Sequence, residues 1–227
     1  MTVELELVNA RAGYGSVEVL HGVSLALPAG AVVAVVGRNG AGKTTLLRTI
    51  AGTLPLNSGT VCWRGRDVTN QTAQQRAIAG VAFVPDEDNV FVSLTVRENL
   101  ALFGGGDAAL EPVLSTFPEL RALLDRRAGT LSGGEQQMLA LCRAVLRPGR
   151  VVLLDEVSRG LSPTVQPRLY SAIASLVTPQ RAIVVVEQYL VAALELADFV
   201  YVMRRGHVAF AGEASELRGA TTGPALG

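Results

Sequence analysis

At roughly 150 residues per domain, a chain of 227 residues has room for one large domain and excludes two independent ones. Its 20 Lys+Arg balance 20 Asp+Glu, so it lacks the basic field that nucleic-acid binding uses, and no nucleic-acid partner is expected. Apolar residues at 49% and charged residues at 18% exclude intrinsic disorder.

Uninterrupted apolar runs such as Ala31 to Val36 and Ala182 to Val186 fall far short of the roughly 18 residues of a membrane span. The start MTVELELV has no basic segment leading into an apolar stretch, so a cytoplasmic location is expected. Cys62 and Cys142 have no CxxC spacing and read as two reduced, buried thiols.

In chain order, Val3, Leu5 and Leu7 alternate with Thr2, Glu4 and Glu6, the period of a strand with one wet face. A second alternating run, Val23 to Leu27, ends at Pro28-Ala29-Gly30, and the two predict antiparallel edge strands. Ala31 to Val36, Val151 to Leu154 and Ile183 to Val186 are wholly apolar and mostly β-branched, as parallel strands buried on both faces are. Helices are predicted over Gly42 to Ala51 and from the Thr95-Val96-Arg97-Glu98 capping box to Phe103. Two more run from Gln136 to Arg147, before Pro148, and from the Ser162-Pro163 cap to Val177. Phe199 to Met203 and Val208 to Ala211 flank Arg204-Arg205-Gly206 as a hairpin. Strand-helix alternation breaks between about Asp86 and Gly129, which predicts helices inserted into an otherwise α/β core.

Gly37-Arg38-Asn39-Gly40-Ala41-Gly42-Lys43-Thr44 has the pattern GxxxxGK[ST], directly after a buried strand and at the start of a helix. That is the context a phosphate-binding loop needs. Its glycines let successive N–H groups turn inward around a phosphate, and the helix N-terminus adds partial positive charge. Lys43 can bridge the β- and γ-phosphates and the Thr44 hydroxyl can hold Mg²⁺, with Thr45 completing the binding residues. Lys43 is the only lysine among the 20 basic residues. A compact ammonium suits a phosphate cradle where a planar guanidinium does not.

Val151 to Glu156 reads as an apolar strand ending in two carboxylates. Neighbouring side chains on a strand point in opposite directions, so the two take different jobs. Asp155 is assigned to Mg²⁺ through water, and Glu156 to the attacking water as general base.

Leu131-Ser132-Gly133-Gly134-Glu135-Gln136-Gln137 opens a helix. Ser132 and the Gly133 and Gly134 amides can form a second anion nest, or they can be an ordinary Ser cap with Glu135 in the first turn. The run resembles the LSGGQ signature of ATP-binding cassette ATPases, and the resemblance extends over nearly the whole chain, 1–227, as a single ATPase domain. It implies a P-loop NTPase core with a mostly parallel sheet, an N-terminal antiparallel β subdomain, and an inserted helical subdomain, approximately 86–145, carrying the signature. It also implies ATP and Mg²⁺ as cofactors. The protein is expected to act as a dimer, homo or hetero, in which Ser132, Gly133, Gly134 and Glu135 of one protomer close on ATP held by the phosphate loop of another. Tyr14, after the first strand, matches the family's adenine-stacking aromatic, with a plain core or surface Tyr as the alternative.

Three departures narrow the resemblance. Pro85-Asp86 stands where most members have Gln, Glu187-Gln188 where most have a switch His, and Gly160-Leu161-Ser162-Pro163 where most have Asp. These are similar to the VPE, VEQ and GLAP runs of the ATPase subunits of branched-chain amino acid importers. Phe117-Pro118-Glu119-Leu120 and Arg127-Ala128-Gly129-Thr130 add to the likeness. By that resemblance Asp86 touches Mg²⁺, and Gln188 donates an amide hydrogen bond to the γ-phosphate without carrying a proton's charge. Membrane permease subunits, a second ATPase subunit and, indirectly, a solute-binding protein are then the partners, at the inner face of the cell membrane. The acidic run Asp86-Glu87-Asp88 is either a solvated loop or faces a basic helix of the membrane protein. The ATPase of a urea or short-amide importer shares the VEQ pattern. A soluble cassette protein of the non-transport kind is expected to have tandem cassettes or a long coiled coil. Val157, where Pro is usual, has no functional reading.

Overall fold

A computed structural model describes residues 2–86, 89–104, 107–146, 149–163 and 165–220. The chain begins with β1 (Val3–Tyr14), β2 (Val17–Pro28), β3 (Val32–Val36) and α1 (Lys43–Ala51), then β4 (Ser58–Trp63), β5 (Arg66–Asp67), α2 (Ala73–Ala79) and β6 (Val81–Val84). Helices follow: α3 (Val96–Leu102), α4 (Asp107–Thr116), two 3₁₀ turns at Pro118–Leu123 and Ala128–Thr130, and α5 (Gly133–Leu146). The remainder is β7 (Val151–Asp155), α6 (Gln166–Ser175), β8 (Ala182–Glu187), α7 (Leu190–Leu196), β9 (Phe199–Arg204), β10 (His207–Glu213) and α8 (Ala214–Ala220).

Two sheets organise these elements, and the α/β class expected from the sequence is what they form. One has four strands in the order β2-β1-β4-β5, all antiparallel. The other has six, in the order β10-β9-β3-β8-β7-β6, parallel except for the β9–β10 hairpin. Every residue of β3, β7 and β8 is buried, which their apolar runs require; the terminal Asp155 and Glu187 are buried with them. Side chains alternate across the sheet, so Val32, Ala34 and Val36 join a core with α3, α5, α6 and α7. Val33 and Val35 join the other core, with Leu46, Leu47 and Ile50 of α1 and the inner face of the antiparallel sheet. These three α1 side chains are fully buried, each stabilising the contact by about 1.5–3 kcal/mol.

Buried Arg76 fastens the antiparallel sheet to this core. Its guanidinium donates to the carbonyls of Thr49 and Ile50 at the end of α1, and to those of Val68 and Thr69 after β5. Val157 is fully buried in the core between sheet and helices, which gives that position a packing role.

Register places the functional residues. Val36 of β3 lies opposite Glu187 of β8, Asp155 of β7 opposite Val186, and Leu154 opposite Val84 of β6. The residues that follow these four strands, Gly37, Gln188, Glu156 and Asp86, therefore emerge along one edge of the sheet, where open parallel sheets bind ligands.

Several local expectations are corrected. β1 is not an edge strand, since β4 covers its second side. A shift in register between Val3 and Leu5 inverts the alternation there: Val3 is exposed, and Glu4 is buried and accepts from Trp63 Nε1 at 2.9 Å. α6 begins at Gln166, because the N–H groups of Val165 and Gln166 both turn back to the Ser162 carbonyl and Pro167 takes the first helical turn. α5 starts at Gly133, three residues before the expected Gln136. Cys142 is buried, but Cys62 is only half-buried; both are free.

Candidate functional site: the phosphate loop and its carboxylates

Gly37 to Gly42 form a bend between β3 and α1. A Cβ at Gly37 would lie 2.5 Å from the Met203 carbonyl oxygen, so only glycine lets the loop pass β9. Gly42 caps α1 at φ 100°, in the left-handed region. No side chain caps this helix and no acid lies in its first turn, which leaves its N–H groups and positive dipole end available to an anion. Asn39, Gly40, Ala41, Gly42, Lys43, Thr44 and Thr45 line a cavity of about 380 Å³ together with Asp86, Glu156 and Arg159. Gly37 and Arg38 line an adjoining one of about 540 Å³, shared with Asn39, Gly40, Ala41 and Gln188.

Lys43 is 4% exposed. Its Nζ donates to the Gly37 carbonyl at 2.8 Å and lies 3.2 Å from Glu156 Oε1. The sole ammonium of a lysine side chain is thus folded back over the loop, paired with the proposed base. A phosphate entering the loop would come between them.

Asp155 and Glu156 take different partners, yet both reach the start of α1. Glu156 has φ 45° and leaves the strand geometry, which swings its carboxylate toward Lys43. Asp155 Oδ1 accepts from Thr44 Oγ1 at 3.2 Å. Its Oδ2 is buried without a hydrogen-bond partner, an arrangement that calls for one. Burial raises the Asp155 carboxyl to about 6, against the Thr44 hydrogen bond that lowers it. Among the described residues no group of three or more His, Cys, Asp or Glu is arranged to hold a metal ion. A hard cation meeting the orphaned Oδ2 and the Thr44 hydroxyl would therefore take its remaining ligands from phosphate and water, which is how Mg²⁺ is usually held.

Asp86 lies on the wall of the same cavity, and its Oδ2 is 2.5 Å from Arg159 Nη1. Arg159 Nη1 is also 4.0 Å from Glu156 Oε2. Sequence reasoning missed this arginine, although a cation three residues after the expected general base was the available signal. Glu87 and Asp88 lie outside the described residues.

Gln188 is exposed and forms a wall between the loop cavity and a cleft of about 520 Å³ containing Glu156, Arg159, Tyr170 and Glu187. Glu187 is 2% exposed and accepts from Ser158 Oγ at 2.8 Å and Tyr170 OH at 3.3 Å. This buried carboxylate ties the loop behind Glu156 to the end of β8, and neither Ser158 nor Tyr170 was singled out from the sequence.

Ser132, Gly133, Gly134 and Glu135 are not part of these cavities. Glu135 Oε2 accepts from the Ser132 N–H at 2.7 Å and from Ser132 Oγ at 2.8 Å, a capping box at the start of α5. Ser132 and Gly133 are exposed. Tyr14 is the last residue of β1, not a loop residue. It is 44% exposed, and its hydroxyl accepts from Arg48 Nη1 of α1 at 3.4 Å. His21 and His207, the two histidines of the chain, sit on β2 and β10 with ring centroids 5.1 Å apart.

Comparison with known proteins agrees with this geometry. The ABC transporter family profile matches residues 20–159. The "Probable branched-chain amino acid transport ATP-binding protein LivF" of Archaeoglobus fulgidus is 40% identical over 94% of this chain and 93% of its own length. The "High-affinity branched-chain amino acid transport ATP-binding protein BraG" of Pseudomonas aeruginosa is 38% identical over 86% of each chain. A nucleotide-free ATP-binding cassette from an ABC transporter superposes with TM-score 0.85 at 25% identity, covering 99% of this chain and 96% of that one. No helix among the described residues is long and apolar enough to cross a membrane. The chain belongs to the ABC transporter family, and its cassette is an ATPase.

Proposed function

We propose that this chain is the ATP-hydrolysing subunit of an importer for branched-chain amino acids, powering separate membrane permease subunits from the inner face of the cell membrane. The observation that carries the ATPase half is the pairing of Lys43 with Glu156 at 3.2 Å, inside a glycine loop at an uncapped helix start. The cargo rests on the two relatives named above and on the Pro85-Asp86, Glu187-Gln188 and Gly160-Leu161-Ser162-Pro163 runs.

In this mechanism the loop amides and Lys43 cradle the β- and γ-phosphates, and Tyr14 stacks on adenine. Thr44, Asp155 and Asp86 would hold Mg²⁺, which would supply positive charge against the triphosphate. Glu156, released from Lys43, accepts a proton from the attacking water. Gln188 donates its amide to the γ-phosphate. The whole chain, 1–227, acts as one ATPase domain, with the helical part at approximately 86–145 carrying the exposed Ser132 and Gly133, and the half-buried Gly134 and Glu135, outward. That exposure supports a dimer, homo or hetero, in which each signature completes the partner's ATP site. Exposed Phe91 and Leu102, which line one cleft, and the neighbouring exposed Val92 support this face as the one that meets the permease, with a solute-binding protein acting only through it.

Reconstitution with its permeases in vesicles tests the reading. Leucine or valine delivered by the solute-binding protein is expected to stimulate ATP hydrolysis and to be taken up. Stimulation by urea or acetamide alone would reassign the cargo, and hydrolysis indifferent to any permease would remove the transport role.

A further inference from the structure

The nucleotide cavity holds one charged residue that the mechanism above leaves idle. Arg159 follows Glu156 in the loop after β7 and pairs with Asp86 in the loop after β6, 73 positions away in sequence. It lines the same cavity as Gly40 to Thr45, and its Nη1 is 4.0 Å from Glu156 Oε2. Its side chain is 63% exposed and Asp86's is 24%, so the guanidinium can leave the pair without disturbing a packed core.

Formal charge gives this position a purpose. Three carboxylates, Asp86, Asp155 and Glu156, face the start of α1, against two cations, Lys43 and Arg159. With Arg159 the group carries −1; without it, −2. A triphosphate brings further negative charge into this space, where like charges repel across a partly dry cavity.

We infer that Arg159 is a positioning residue of the ATP site: it is the counter-ion that occupies Asp86 until a divalent cation competes for that carboxylate, and it then turns its guanidinium to the triphosphate. This rests on the ATP-site reading above. Two opposed consequences follow from the charges. Removing Arg159 takes a cation away from an incoming triphosphate, so binding without metal weakens. The same change removes the competition of Arg159 for the Asp86 carboxylate, so less Mg²⁺ is needed to reach half-maximal binding.

The test is fluorescence titration of the full chain with a methylanthraniloyl ATP analogue, in excess EDTA and across a range of Mg²⁺ concentrations. Arg159→Gln is expected to weaken binding in EDTA by about five- to tenfold and to lower the half-saturating Mg²⁺ by a similar factor. Arg159→Lys is expected to recover most of the EDTA binding. Asp86→Asn is expected to do the opposite of Arg159→Gln in both titrations, and in an Asp86→Asn background Arg159→Gln should no longer move the Mg²⁺ requirement. Shifts of Arg159→Gln in the same direction, or in neither titration, would overturn the inference. So would an undiminished Mg²⁺ shift in the double variant. Should Arg159→Gln fail to melt cooperatively, Asp86→Asn decides alone: tighter binding in EDTA supports the counter-ion role, and weaker or unchanged binding overturns it. Wild-type chain that does not bind the analogue even with Mg²⁺ would instead remove the ATP-site reading itself.

Discussion

The two anion-binding candidates of this chain handle charge in opposite ways. At the end of β3, Lys43 is buried and held over the loop by Gly37 and Glu156, while the helix start beside it has no side-chain cap. At the start of α5, the helix is capped by its own Ser132 and Glu135, and Ser132 is exposed. The first region is a cradle whose own Glu156 pairs with the lysine. The second is a finished helix end whose ligand has to be brought to it, and the cavities around the phosphate loop take no residue from it. In the proposed dimer the two regions form one site, each chain supplying the wall that the other lacks.

The largest expected effect is at Lys43. Lys43→Ala should cut ATP affinity by at least about a hundredfold, since it removes a charge-assisted contact and leaves Glu156 without its cation near the loop; equilibrium binding of a labelled nucleotide measures it. Glu156→Gln should instead preserve or tighten ATP binding, because the amide releases Lys43, while slowing turnover by about two to three orders of magnitude. Gel filtration with saturating ATP should then show a dimer. A monomer under those conditions would break the proposed division of one site between two chains.

Ser132→Ala probes the other region with a smaller effect. Losing the cap should lower stability by about 1 kcal/mol and leave ATP binding by the isolated chain unchanged. Turnover should fall by about tenfold if the Ser132 hydroxyl meets a partner's phosphate, the loss of about one ordinary hydrogen bond. Equal losses in binding and turnover would place Ser132 in its own chain's site and erase the contrast.

Legibility in the sequence followed the same divide. β3, β7 and β8 could be read because strands buried on both faces are apolar up to their last residues, where β7 ends in Asp155 and β8 in Glu187. The phosphate loop could be read because its glycines and single lysine each answer a local demand. Long-range partners were not legible. Arg159 meets Asp86 across 73 positions, and Glu187 meets Ser158 across 29 and Tyr170 across 17. The register of β6, β7 and β8 brings the first two pairs together, and the packing of α6 against the sheet brings Tyr170 to Glu187. The alternation in β1 misled for the reverse reason: a bulge near Val3 buries Glu4, and its bond to Trp63 depends on a strand, β4, that the residues Ser58 to Trp63 do not announce by alternation.

Glu187 offers the smallest effect and tests whether the cradle side keeps its charges inward at a cost. Burial is the main influence on its carboxyl and raises it, against the hydrogen bonds from Ser158 and Tyr170 that lower it, with Glu156 nearby adding to the rise. The Tyr170 hydroxyl beside it is itself pushed up to about 12, chiefly by burial. A carboxyl raised in the folded state takes up protons more readily there than in the unfolded chain. Its contribution to stability is therefore complete below the ordinary value of 4.5 and is lost as pH rises through its higher folded value. Glu187→Gln cannot ionise, so it should flatten this part of the pH dependence. At pH 7 the variant should melt about 2–4 °C higher for each kcal/mol recovered, and the advantage should shrink toward pH 4.5. Melting curves of both chains between pH 4 and pH 8 measure it. A variant that melts lower at every pH would mean that the Ser158 and Tyr170 bonds to the charged carboxylate outweigh its burial, and that the loop behind Glu156 is held by that charge rather than in spite of it.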